Sequence, residues 1–108
     1  MSKPNKTNII ASLYQAFDHE TITVSSSVIQ LTQSTYLDSD SDPAKRAVIT
    51  VEDGQLRYFW DGQNPTTTVG HVASPLDSIV LVGTTNIQNF RAIRKTSTSS
   101  KITVTYER

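Results

Sequence analysis

The stretch from Ala47 to His71, AVITVEDGQLRYFWDGQNPTTTVGH, constrains this chain more than any other. Two runs of alternating apolar and polar residues flank the dipeptide Asp53-Gly54, and Asp-Gly between such runs is a strong hairpin signal. A two-residue type I′ turn at this point pairs Glu52 with Gln55 and sets the register. Val51 then faces Leu56, Ile49 faces Tyr58 and Ala47 faces Trp60, all on one apolar and aromatic side. Thr50 against Arg57 and Val48 against Phe59 make the other, mixed side. A slip of one residue scrambles this pattern. The expected hairpin core is therefore Ala47, Ile49, Val51, Leu56, Tyr58 and Trp60, with Phe59 the exposed ring.

Further short strands surround this unit. Thr21 to Val24 (TITV) and Val28 to Thr32 (VIQLT) read as two strands joined by a turn at Ser25 to Ser27. After a loop from Asp61 to Thr68, Val69 to Val72 reads as a short strand and Ser74-Pro75 as a turn. Ser78 to Val82 (SIVLV) reads as a buried strand that Gly83 breaks. Ile87 to Arg94 reads as a bulged strand, because Ile87, Phe90 and Ile93 do not keep one parity. Lys101 to Tyr106 closes the series with Ile102, Val104 and Tyr106 inward. Ile9 to Phe17 fits either a short helix or a strand and is read as extended; Asp38 to Pro43 is a loop. The expected fold is all-β: a single small β-sandwich or jelly-roll-like barrel of seven to eight mostly antiparallel strands. One domain over 9–108 follows a flexible N-terminal arm over 1–8 that is polar and carries Pro4.

Composition narrows the function. Ten basic and ten acidic residues give a net charge of zero, which argues against a nucleic-acid binder of the basic-patch kind. The chain has no cysteine, so disulfides and thiolate metal sites are excluded. No run reaches the length of a membrane span, and the start, MSKPNKTN, lacks an apolar signal segment. Folding in a cytoplasm is the expectation. Eight acids lie between Asp18 and Asp61, and five bases lie from Arg91 onward. Such a division either scatters over a solvated surface or brings acidic and basic faces of neighbouring copies together in a ring.

Catalytic chemistry is thin. Asp38, Asp40 and Asp42 open like a calcium loop, yet Pro43 and Ile49 stand where such a loop needs Gly and Glu. The segment reads as a solvated acidic loop. His19 and His71 are far apart, and no nucleophile elbow, metal-binding His pair or phosphate-cradling glycine loop is present. The expectation is a protein that is not an enzyme and needs no cofactor or metal. His71 is expected to be a packing or hydrogen-bonding residue at a strand start. Tyr58, Phe59 and Trp60 beside Asp61 have the composition of a sugar platform, but the hairpin register assigns Tyr58 and Trp60 to packing. The candidate interface residues are Arg57 and Phe59 on the hairpin, Arg91, Arg94 and Lys95 in the basic stretch, and Lys3 and Lys6 in the arm.

The run RAVITVEDGQLRYFWDGQNPTTTVGH, followed by DSIVL, NIQNFRAIR and ITVTYE, resembles a loose group of small virion-associated proteins of tailed bacteriophages. The resemblance covers Thr21 to Glu107 apart from Asp38 to Lys45, and it is to a scaffold, without a catalytic signature. It implies a non-enzymatic virion structural protein, foremost a capsid decoration or cement protein that binds the capsid lattice as a symmetric homo-oligomer, a trimer or ring. The implied partner is the major capsid protein or another virion protein, with no nucleic acid and no membrane. The implied location is the virion, and the host cytoplasm during assembly. In this setting the arm Met1 to Asn8 is expected to add a strand to a neighbour's sheet edge. Two alternatives stand beside it: a carbohydrate-binding β-module on a virion surface, with a glycan as ligand, and a head–tail connector or tail component.

Overall fold

The computed structural model describes residues 14–37 and 42–108. The arm over 1–8, with Lys3 and Lys6, lies outside the described residues, as do most of Ile9 to Phe17 and the acids Asp38 and Asp40. The described chain forms β1 (Ala16–Val24), α1 (Gln33–Leu37), β2 (Arg46–Asp53), β3 (Leu56–Phe59), β4 (His71–Ala73), β5 (Ser78–Val82), α2 (Thr84–Asn89), β6 (Arg91–Arg94) and β7 (Ser100–Glu107). The fold is all-β. A four-stranded sheet of order β1-β7-β2-β5 and a three-stranded sheet of order β4-β3-β6 are both antiparallel. Alternate residues of each meet in one core that includes Ile49, Leu56, Ile87, Phe90, Ile102 and Tyr106.

The expected hairpin between β2 and β3 does not form. β2 pairs with β5 and β7, whereas β3 pairs with β4 and β6, so the two strands belong to different sheets. β7 and β5 take both edges of β2, and the backbone at Asp53-Gly54 is not that of a hairpin turn. A type I′ turn requires positive φ at both central residues. Gly54 has φ +65, but Leu76 is the one non-glycine residue with positive φ among those described, so Asp53 does not qualify. The chain instead bends out of one sheet and into the other. A β-carbon at Gly54 would stand 2.6 Å from the carbonyl oxygen of Ser99 and 3.1 Å from the α-carbon of Ser100, so the crossing is packed tightly on the start of β7.

The alternation survives this change of partner. Ala47, Ile49 and Val51 are buried on β2 and Leu56 on β3, because strands facing each other across a sandwich and strands side by side in a hairpin demand the same period of two. Tyr58 packs against the core from a half-buried position. Trp60 departs from its expected place: it lies just past the end of β3 and is 41% exposed.

Three other expectations are corrected. Val28 to Thr32 is not a strand, since Ile29 makes a single antiparallel bridge to Ala92. The Glu20 carboxylate accepts from the N–H of Thr32 at 3.1 Å and from its hydroxyl at 2.6 Å. Directly after this anchor α1 begins, with the Thr32 carbonyl accepting from the N–H groups of Thr35 and Tyr36. Ile87 to Arg94 is not one bulged strand but the helix α2 followed by β6. Ile87 and Phe90, three residues apart and both fully buried, keep the helical spacing that mimics a broken strand parity. Ser78 to Val82 is a strand, but an edge strand and not a buried one. The closing strand agrees with expectation, and Ile102, Val104 and Tyr106 are fully buried.

One half-buried polar contact joins two strands of the four-stranded sheet. The Tyr106 hydroxyl donates to Glu20 at 2.5 Å, across β7 and β1. Burial first, and then the hydrogen bond and negative charge of Glu20, push the Tyr106 phenol far above its ordinary range. An ordinary phenol titrates near 10.0; the unfolded chain therefore releases this proton first as pH rises. Its contribution to stability is complete below that pH and is lost as pH climbs above it. Phenolate absorbance in an alkaline titration is expected to show one tyrosine ionising together with unfolding, and Tyr106→Phe is expected to remove that component. Tyr106→Phe is expected to cost about 1.5–3 kcal/mol at neutral pH, the range for a hydrogen bond to a charged group, read by denaturant unfolding. Gly54→Ala is expected to cost about 1–3 kcal/mol from the left-handed backbone alone, and more from the close approach of Ser99, in the same assay.

Candidate binding site

The functional candidates gather where β3 ends, beside the open edge of β5. Tyr58, at the C-terminal half of β3, packs its ring 5.8 Å from Phe90 and 5.5 Å from His71. Trp60 follows, with ring centroids 6.0 Å from Tyr58 and 4.9 Å from His71, the latter a stacked pair at 24°. Phe59 meets His71 edge-on at 5.8 Å and 77°. His71 opens β4, whose pairing with β3 places it directly opposite Tyr58. It is exposed at the strand start, with the rings of Tyr58, Phe59 and Trp60 around it.

Two adjoining hollows share Trp60. The first is a groove of about 310 Å³ that runs along the whole of β5 and is walled by Tyr58, Trp60 and Asn86. The second, of about 240 Å³, is lined by Phe59, Trp60, Asp61 and His71. The exposed ring is therefore Trp60, while Phe59 is half-buried. Local register alone had reversed the two, because it extended the strand alternation one residue past the end of β3.

The loop from Asp61 to Gly70 is held against β3 by one side chain. Arg57 donates its Nε to the Thr67 carbonyl at 3.0 Å and its Nη1 to the Gly70 carbonyl at 2.9 Å. Gly70 is part of this fit: with φ +137, a β-carbon there would meet Pro65 at 3.1 Å and Arg57 at 3.2 Å. Arg57 is thus engaged within the chain as a clamp.

Arg91 is engaged in a similar way. Its Nη1 donates to the carbonyls of Gln88 at 2.9 Å and Phe90 at 3.1 Å, at the end of α2. Arg57, Phe59 and Arg91 share the outer face of the three-stranded sheet, since Phe59 pairs with Arg91 and Arg57 with Ile93. Arg94 pairs with Leu56 and falls on the other parity. Lys95 follows the strand and donates its backbone N–H to Gln55. The expected interface residues are thus not one patch. Ion pairs also form within the chain: Arg46 Nε lies 2.8 Å from Glu107 Oε1, off the line of a hydrogen bond. Asp42 sits 3.6 Å from Lys45, and Arg108 donates to the Asp42 carbonyl at 3.2 Å. Among the described residues no three His, Asp or Glu side chains converge to hold a metal ion.

What the sequence reading missed is the β5 edge. Val80 and Val82 point outward and are 50% and 55% exposed. Leu76, just before the strand, is 91% exposed and held at φ +79, a conformation that costs a branched residue free energy. Val69 and Val72 add exposed apolar surface near β4. No family model, curated protein or solved structure matches the chain.

Arg57→Ala is expected to lower stability by about 1–3 kcal/mol, since two backbone carbonyls lose a charged donor. It is also expected to speed amide exchange across residues 61–70 more than elsewhere, measured by hydrogen–deuterium exchange. Arg57→Lys is not expected to restore protection, because a lysine cannot reproduce the planar fork that reaches both carbonyls.

Proposed function

We propose that this protein is a non-enzymatic assembly module of a bacteriophage virion, seated on the capsid shell as a decoration protein. The observation that carries the reading is the uncharged β5 edge, with its outward valines and the Trp60 groove beside it. Apolar surface of this kind, together with an exposed aromatic ring, has the chemistry of a protein interface. The ionisable side chains speak in the same direction: the arginines at positions 46, 57, 91 and 108 are spent on internal contacts. His71, exposed at the start of β4, lies against the rings of Tyr58, Phe59 and Trp60. The virion assignment itself is supported by the resemblance of Thr21 to Glu107 to small virion-associated proteins of tailed phages. A small two-sheet domain suits repetition over a symmetric lattice, where the major capsid protein is the partner.

A second reading has its own observation. Trp60 and Asp61 line one open hollow, and an aromatic face next to a carboxylate is a chemistry that holds a sugar ring. On this reading the module binds a glycan from the virion surface.

Capsid shells lacking this protein, mixed with increasing amounts of it and sedimented, separate the two. Saturable retention at a fixed ratio to the capsid subunit is expected. No retention, together with glycan-array binding that Trp60→Ala abolishes, would overturn the capsid reading in favour of the sugar module.

A further inference from the structure

We infer that the free edge of β5 is a self-association site, at which a second copy of this chain pairs its own β5 antiparallel about a two-fold axis through Val80. This deepens the assembly reading and rests on it for its biological setting.

The four sheet edges are not treated alike. β1 carries Asp18, His19 and Glu20 and a register irregularity at Ala16/Asp18, both devices that discourage strand addition. The edge of β6 is covered, since Ile29 exchanges backbone hydrogen bonds with Ala92 and Ser25 accepts from Arg94. β4 is three residues long. β5 has five residues, no charge, no proline and no irregularity in its pairing with β2. An edge of that composition invites another strand.

The hydrogen-bond phase states which groups await it. Gly83 donates its N–H to the Lys45 carbonyl, and Val51 donates to the Asp77 carbonyl. Odd-numbered residues of this segment therefore turn their backbone polar groups toward β2. Ser78, Val80 and Val82 turn theirs toward the open edge. Among the described residues only the Val82 carbonyl has a partner there, the Asn86 amide at 2.8 Å. A second β5 centred on Val80 sets Val80 opposite the partner's Val80 and Ser78 opposite the partner's Val82. Val80 then sits in a hydrogen-bonded pair with its own copy, and the partner's Ser78 N–H reaches the Val82 carbonyl beside the Asn86 amide.

Side chains agree with this centre. Val48 is the β2 neighbour of Val80, so a valine row runs unbroken across the joined sheets from one copy's Val48 to the partner's. Asp77 comes opposite the partner's Gly83, which has no side chain to obstruct the approach. Leu76, held in its costly conformation with its side chain in solvent, lies at the end of the pairing and is covered with it. Each strand also closes over the groove walled by Trp60.

The test uses the whole chain, by sedimentation equilibrium together with the emission of Trp60, the sole tryptophan. At roughly 100 μM, a concentration that populates even a weak complex, a dimer is expected, with emission shifting to the blue as it forms. Val80→Lys and Val80→Glu are each expected to weaken association at least tenfold, because Val80 faces its own copy. Mixing the two variants is expected to restore the dimer, an outcome that loss of folding cannot imitate. Val80→Thr keeps the backbone donor and is expected to remain dimeric. A dimer is also expected from a chain lacking residues 1–13; its loss there would assign the edge to the N-terminal segment and overturn the inference. A wild-type monomer, or a failure of the mixed variants to recombine, would overturn it too. A monomer that still binds capsids removes this contact alone, whereas a dimer that ignores capsids removes the virion reading alone.

Discussion

Gly54 bends the chain out of the four-stranded sheet and into the three-stranded one, and the rest of the structure is arranged around that crossing. The left-handed backbone at this residue and the absence of a β-carbon let the strand pass within contact distance of Ser99 and Ser100. Because the crossing is so short, β2 and β3 arrive with their apolar faces opposed across the core. Ile49 and Val51 look in from one sheet and Leu56 from the other. Gln55, next in the chain, is fixed from both sides. Its side chain donates to Ser74 at 2.9 Å and its carbonyl accepts from Lys95, so β4 and β6 are held to β3 where the sheet begins.

Polar interactions inside the molecule then leave the outer surface with an unusual balance. Glu20 joins Tyr106 and Thr32, which fastens β7 and the start of α1 to β1. Arg57 holds the long loop, Arg91 holds the end of α2, and Arg46 and Arg108 hold the C-terminal strand and Asp42. Charges engaged in this way have little left to offer a ligand. The valines of β5 and Leu76 are apolar surface that the molecule leaves exposed, beside the partly exposed ring of Trp60. For a chain of 108 residues without cysteine, the apolar surface on this edge is what the proposed assembly would bury, and burial there would add stability that a small core lacks.

Much of this was legible in residues. Period-two alternation in Ala47 to Val51 and in Ile102 to Tyr106 named the inward side chains, because pleating obeys the same rule whatever strand lies alongside. Gly54 was legible as a bend. Its type was not, since the Asp-Gly pair serves a hairpin as readily as a crossing, and the choice depends on what β7 and β5 offer as alternative partners for β2. α2 was hidden because the spacing of Ile87, Phe90 and Ile93 joins one helical turn to one strand step, and a single parity test sees only irregularity. Trp60 misled for a related reason: alternation holds only while the strand lasts, and β3 ends at Phe59.

The sequence by itself determined the all-β class, the inward side chains of β2 and β7 and the bend at Gly54, because each depends on local sterics and short-range hydrophobic pattern. Tertiary structure alone decided which strands pair, that SIVLV stands at an edge instead of in the middle, and that Trp60 rather than Phe59 meets solvent. Those outcomes depend on contacts between residues far apart in the chain. An apolar run of five residues is the same string whether a neighbour lies on one side of it or on both, and only the closed topology says how many neighbours it has.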